Sequence, residues 1–342
     1  MSSYEENINK LFYYWILTTF VLVFMMIIVG GLTRLTDSGL SITEWELFSG
    51  ILPPLTETTW NNYFNSYKQI PQYKFLNSNM TLGEFKIIFY WEYFHRILGR
   101  IIGLFFILPL FFFYLTRVID KKIIFICLVV SLLIIFQGII GWYMVKSGLT
   151  INTTVSHYRL SIHLSVAVII ISMLFWILIN LKKKMIKVFF VNKKINYPFY
   201  ILLVLIFFQI GLGAFVSGLD AGKVYQTWPL MNLTYFPEDV IVLKFLDYFD
   251  FNNISLVQFY HRNLAYILTI YIFFLGFYII KNNTSYFSLK PFIILSILLI
   301  LQIILGIYTL ISGLNIYLAS AHQISSLLLI LSSINLCHKY IK

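Results

Sequence analysis

Residues 91–100, Trp91-Glu92-Tyr93-Phe94-His95-Arg96-Ile97-Leu98-Gly99-Arg100, set an acid, an imidazole and two guanidiniums at the start of an apolar run that continues to about residue 115. As a helix, such a run is long enough to cross about 30 Å of hydrocarbon. Ionisable side chains are costly at that depth, so those that occur there face a bundle interior and mark a function. The pattern returns in the second half, where Gln258-Phe259-Tyr260-His261-Arg262 opens another long apolar run.

The rest of the chain fits that reading. Of its 342 residues 59% are hydrophobic and 11% charged, and the mean hydropathy is +0.83, more apolar than a soluble core can hide. Runs of membrane-crossing length occupy about 12–33, 88–115, 123–145, 158–180, 199–219, 259–280, 292–312 and 317–337. Helices are expected, since barrel strands are short and alternating. The fold class is therefore an all-α integral membrane protein of eight transmembrane helices. Leu11 to Gly31 is too long for a signal-peptide core and has no small-residue cleavage site. Glu5 and Glu6 stand where a transit leader would be basic, so the first run is read as a mature helix. Cys127 and Cys337 lie in apolar segments far apart, which argues against a disulfide framework.

Charge sets the orientation. Both termini and the segments after the second, fourth and sixth runs hold 14 of the 25 Lys+Arg but only three of the 14 Asp+Glu, which leaves 11 of each sign on the other side. The whole excess of +11 lies on one face, which the positive-inside rule makes cytoplasmic, with both termini there. This asymmetry accounts for the charge without a nucleic-acid partner, and Lys182-Lys183-Lys184 reads as a topology signal. The long outer loops, about 34–87 and 220–258, carry Trp, Tyr and Pro and are expected as half-ordered interfacial caps.

The halves read as copies. Gly30, Asp37, Gly39 and Trp45 recur at identical spacing as Gly213, Asp220, Gly222 and Trp228. Gln137, Gly141, Tyr143, Ser147, Gly148 and Leu149 recur as Gln302, Gly306, Tyr308, Ser312, Gly313 and Leu314. Two tandem pseudo-symmetric four-helix bundles are predicted, residues 11–180 and 199–338, in parallel orientation.

Four of the six histidines fall at equivalent places, His95, His163, His261 and His322, each expected within about two turns of the outer end of an even-numbered span. A small residue follows four positions on, at Gly99, Ala167, Ala265 and Ser326, which suits a flat ligand pressed against the helix. Imidazoles from two facing helices can hold a heme iron axially, pairing His95 with His163 and His261 with His322. Hydrogen-bonded interhelical histidines are the plain alternative. A structural zinc site would want closer ligands with Cys or acid. His157 is a helix-end residue or alternative ligand, and His338 carries no assignment. Arg34, Arg96, Arg100, Arg159 and Arg262 gather toward the outer ends, where they can pair with heme propionates or snorkel to lipid phosphate. Glu92 precedes His95 by three residues, whereas its counterpart Gln258 is uncharged, so the first half is where protons or a developing positive charge would be handled.

Gly30-Gly31-Leu32-Thr33-Arg34-Leu35-Thr36-Asp37-Ser38-Gly39-Leu40-Ser41, Glu92-Tyr93-x-His95-Arg96-x3-Arg100, the tract from Gly211 to Met231 and Tyr260-His261-Arg262 together resemble the heme A synthase family of cytochrome oxidase assembly, over nearly the whole chain. The resemblance implies oxidation of the C8 methyl of heme O to a formyl group, giving heme A. By motif position it makes Glu92, His95 and His163 catalytic around the substrate heme, with His261 and His322 holding a permanent heme b. It implies heme O synthase and oxidase assembly factors as partners in a lipid bilayer, and leaves homo-oligomerisation open. Some members carry a cysteine pair in an outer loop of each half. This chain has none there and resembles the proteobacterial and mitochondrial branch, with a bacterial inner membrane as the expected location. The rival readings are a diheme cytochrome passing electrons between quinol and an acceptor, and a heme or solute transporter.

Overall fold

The computed structural model describes residues 3–45, 49–149, 153–282 and 286–341. Among them there is no β-strand, only an isolated bridge between Met231 and Thr234. The long helices are α1 (Ser3–Leu35), α4 (Leu82–Thr116), α5 (Lys121–Gly148), α6 (His157–Lys182), α7 (Tyr197–Gly218), α8 (Ile254–Asn282), α9 (Tyr286–Ile311) and α10 (Ile316–Tyr340); α2 (Glu57–Tyr67) and α3 (Pro71–Leu76) are short. All eight long helices are apolar and long enough to span a bilayer, which makes this a multi-pass membrane protein.

The chain divides into two compact units, Met1–Leu174 and Phe175–Lys342. In the first, α1 packs on α4 and α4 on α5. Trp15 of α1 stacks on Phe106 of α4 with ring centroids 4.8 Å apart and donates its indole N–H to the Phe105 carbonyl at 2.9 Å. In the second, α7 packs on α8 and on α10, which also packs on α9. Both cysteines are free and buried.

Two features depart from the sequence expectation. First, α4 begins at Leu82, six residues before the expected 88, because Thr81 and Glu84 form a capping box: Thr81 N–H donates to Glu84 Oε2 at 2.8 Å and Glu84 N–H to Thr81 Oγ1 at 3.3 Å. His95 thus lies more than three turns into its helix, deeper along it than the two expected, whereas His163, His261 and His322 lie within about two turns of theirs.

Second, the first long loop is a packed cap. Leu40, Ile42, Trp60, Phe64, Tyr67, Ile70, Phe85 and Phe89 form one buried cluster joining the 40–42 segment, α2 and the first turns of α4. A polar chain ties this cap to the end of α1: Asn77 donates to the Tyr67 hydroxyl at 2.8 Å, that hydroxyl to Gln72 Oε1 at 3.1 Å, and Gln72 Nε2 to the Asp37 carbonyl at 3.0 Å. Burial pushes the Tyr67 phenol above its usual range. Asp37 takes a left-handed conformation, φ 51°, and so does Asp220 at the matched position after α7. A short polar side chain tolerates that turn better than most.

In the second unit His338 is fully buried at the end of α10. Its Nε2 pairs with Asn180 Oδ1 at 2.9 Å and its Nδ1 with Lys183 Nζ at 3.1 Å. Lys187 Nζ donates to the carbonyls of His338 and Ile341 at 2.8 and 2.9 Å, capping the helix C-terminus with a cation. Nothing in the sequence alone marks His338 for this role.

Candidate functional site

Each of the four aligned histidines sits against a glycine on an odd-numbered span. A Cβ added at Gly30 would lie 3.2 Å from His95 Nε2, at Gly141 3.3 Å from His163 Cε1, at Gly213 3.2 Å from His261 Cε1 and at Gly306 2.8 Å from His322 Cε1. At Gly306 a side chain would have to displace the imidazole, and at the other three places it would crowd the ring by a few tenths of an ångström. The contact thus recurs twice in each unit.

In the first unit the two imidazoles face one another, His95 and His163 ring centroids standing 6.4 Å apart with planes inclined by 56°. Two imidazoles on opposite faces of one metal, each bonded at about 2 Å with its ring centre about 1.2 Å further on, would place their centroids about 6.4 Å apart. His163 Nδ1 and His322 Nδ1, equivalent in the two units, are buried without a hydrogen-bond partner, an expensive state for a polar atom. Among the described residues no three His, Cys, Asp or Glu side chains gather as a metal site. Two axial donors do not complete a tetrahedral zinc centre, but they suffice for a porphyrin iron, whose ring supplies the other ligands. The residues present fit a heme.

Glutamines, two of them the repeat markers Gln137 and Gln302, support three of these histidines. Gln137 Nε2 donates to the His163 carbonyl at 2.9 Å, and Gln209 Nε2 to the His261 carbonyl at 3.0 Å and the His261 Nδ1 at 3.2 Å. Gln302 Nε2 lies 3.4 Å from His322 Nε2, and its Oε1 accepts from Ser325. Each glutamine precedes its histidine-facing glycine by four residues. The Gln209-x3-Gly213 spacing was therefore available in the sequence. At the fourth place, Gly30, the preceding turn carries Met26, which packs against Gly99: a Cβ there would lie 3.3 Å from Met26 Cε. The space beside Gly99, read from sequence as room for a flat ligand, is filled by this thioether.

Glu92 is 2% exposed and accepts four hydrogen bonds. Oε2 takes the Ser41 hydroxyl at 2.7 Å and the Ile42 N–H at 2.8 Å. Oε1 takes Arg96 Nε at 3.1 Å and an Arg96 terminal nitrogen at 2.7 Å. Arg96 also donates to the carbonyls of Ile42 at 2.8 Å and Glu44 at 3.1 Å. The carboxylate therefore fastens the 41–42 segment to α4, one turn from His95. In the second unit Gln258 and Arg262 fasten the matched segment, both donating to the Tyr225 carbonyl, at 2.8 and 2.9 Å. Arg34 pairs with Asp37 at 2.6 Å, Arg100 reaches the Gly50 carbonyl at 3.4 Å, and Arg159 lies over Tyr143, 4.5 Å from its ring centre. The structure thus brings His95 to His163 and Glu92 to Arg96.

The family model described as cytochrome oxidase assembly protein matches residues 13–334. A heme A synthase of Pelagibacter ubique is 48% identical over 339 residues, 98% of each chain. The chain belongs to the heme A synthase family. Other members include a heme A synthase of Rickettsia bellii, 42% identical over 343 residues and 99% of each chain. One of Flavobacterium psychrophilum is 37% identical over 342 residues, 98% of this chain and 99% of its own. Family membership fits a heme-handling reading of the four histidines, and the repeated glycine contacts are what those histidines rest on.

Proposed function

We propose that this chain is a heme A synthase, oxidising the C8 methyl of heme O to a formyl group by two successive two-electron oxidations through a hydroxymethyl intermediate. The observation that carries the proposal is the facing of His95 and His163 across 6.4 Å in a member of this family. The first unit takes heme O as substrate, flanked by His95 and His163. In the second unit His261 and His322 hold a resident heme b, which supplies one-electron chemistry when bound.

Glu92 acts beside the substrate as a fixed charge. A carboxylate already accepting from Ser41, Ile42 and Arg96 must release a donor before it can take a proton. The arrangement favours orientation and electrostatic stabilisation of a developing positive carbon over proton abstraction. Arg34, Arg96, Arg100 and Arg262 set positive charge along the outer end, where carboxylate substituents of a porphyrin pair well with guanidinium. The protein lies in a bacterial inner membrane with both termini cytoplasmic, and receives heme O from its synthase on the way to oxidase assembly.

Pigment extraction after co-expression with a heme O source tests this. Heme A or its hydroxymethyl precursor is expected. Unchanged heme alone would instead support the diheme cytochrome, whose function leaves its pigments intact.

A further inference from the structure

Three of the four histidine residues take a hydrogen bond from an amide on the neighbouring helix, His163 at its backbone carbonyl alone, and α1 sets no amide at the matched place beside His95. Gln137 and Gln209 hold the carbonyls of His163 and His261; Gln302 reaches the His322 ring and is itself engaged by Ser325. Where the pattern calls for a glutamine facing His95, α1 carries Met26, whose thioether donates no hydrogen bond. All four rings lie edge-on against their glycines, a Cβ added at Gly30 meeting the His95 ring at 3.2 Å. A flexible methionine one turn away, whose Cε would lie 3.3 Å from a Cβ added at Gly99, can shift by rotamer changes at little cost.

We propose that His95 is the displaceable ligand of the first pair and His163 the anchored one, Met26 being the residue that leaves His95 unclasped. The inference rests on reading this pair as an iron-porphyrin site. It adds which side of the porphyrin opens: the His95 side, toward α1. The second pair, clasped at both members, stays closed. An amide at position 26 would supply the missing hydrogen bond and tie the His95 backbone to α1, as Gln137 and Gln209 tie the His163 and His261 carbonyls to their neighbouring helices. Met and Gln are both unbranched and similar in length, so the substitution suits the fold.

The test uses the full-length, heme-loaded, reduced protein, with heme content and the carbon monoxide difference spectrum as readouts, neither of which needs turnover. Wild type should bind carbon monoxide at one of its two hemes. Met26→Gln should lower that binding by about three- to tenfold, the worth of one hydrogen bond, while Met26→Leu leaves it unchanged. His95→Ala should keep the first heme and make it fully reactive, whereas His163→Ala should lose it. Carbon monoxide binding unaltered by Met26→Gln, or retention in His163→Ala with loss in His95→Ala, would overturn the assignment. If neither histidine substitution changes heme content or spectrum, the first pair holds no porphyrin and the underlying reading falls with it.

Discussion

Replacing Glu92 by glutamine is the sharpest perturbation the structure offers. The side chain keeps its size, but one of two acceptor oxygens becomes a donor. Each oxygen serves two donors, Ser41 and Ile42 on one side and two Arg96 nitrogens on the other. Whichever way the amide turns, two donors lose their acceptor and face an N–H group instead. Orphaning a buried donor costs about 1–3 kcal/mol, and the side chains of Arg96 and Glu92 are only 11% and 3% exposed, so solvent offers little relief. One compensation exists: the new amide can donate to the Ile42 carbonyl, as Gln258 does to that of Tyr225. The net loss is about 3 kcal/mol, near the low end of what breaking a buried ion pair costs. For a unit of this size that lowers the melting midpoint by about 6–12 °C. Thermal unfolding of the detergent-solubilised, heme-loaded protein measures it, and heme A yield from the same preparation should fall while bound heme persists. An unmoved midpoint together with wild-type yield would refute the role given to the carboxylate.

Other expectations follow from the same contacts. His261→Ala or His322→Ala should remove the low-spin heme b spectrum, and an undiminished signal in both would undo the second-unit assignment. Gly306→Ala, which puts a methyl 2.8 Å from His322 Cε1, should displace that imidazole and reduce heme in the second unit, whereas Gly138→Ala, with nothing within 4 Å, should not. Burial depresses the Lys183 and Lys187 ammoniums below their ordinary 10.5, with mutual repulsion and Lys339 adding to the effect at Lys183. A lysine with a lowered folded pKa binds fewer protons folded than unfolded. It therefore costs stability below that folded value, and the cost is relieved as pH rises toward 10.5. Lys183→Met removes the cost at every pH. Wild type should therefore gain stability relative to this variant between neutral and alkaline pH, in paired melting curves, and a constant difference would contradict the burial of that charge.

Much of this was legible in the sequence because a membrane imposes strict rules. Apolar length gives the spans, and a histidine within such a run stands out because it must be there for a reason. The four histidine positions and the recurrence of Gly30 as Gly213 could be read without coordinates. What could not be read depends on residues brought together over long separations. Nothing near Glu92 in the chain marks Ser41 and Ile42 as its partners, about fifty residues away, and only folding of the cap places their donors on the carboxylate. The cap itself was underestimated because Trp60, Phe64 and Tyr67 are spread among polar residues that conceal a small core. The early start of α4 had a local signature, Thr81-Leu82-Gly83-Glu84, that apolar periodicity alone passes over.

The bond between Glu92 and the 41–42 segment makes the extramembrane cap a lever. Anything that grips the outer surface of the first unit and lifts that segment pulls on α4 one turn from His95. A protein arriving from outside the bilayer thus has a mechanical handle on a buried imidazole, without having to reach the imidazole itself.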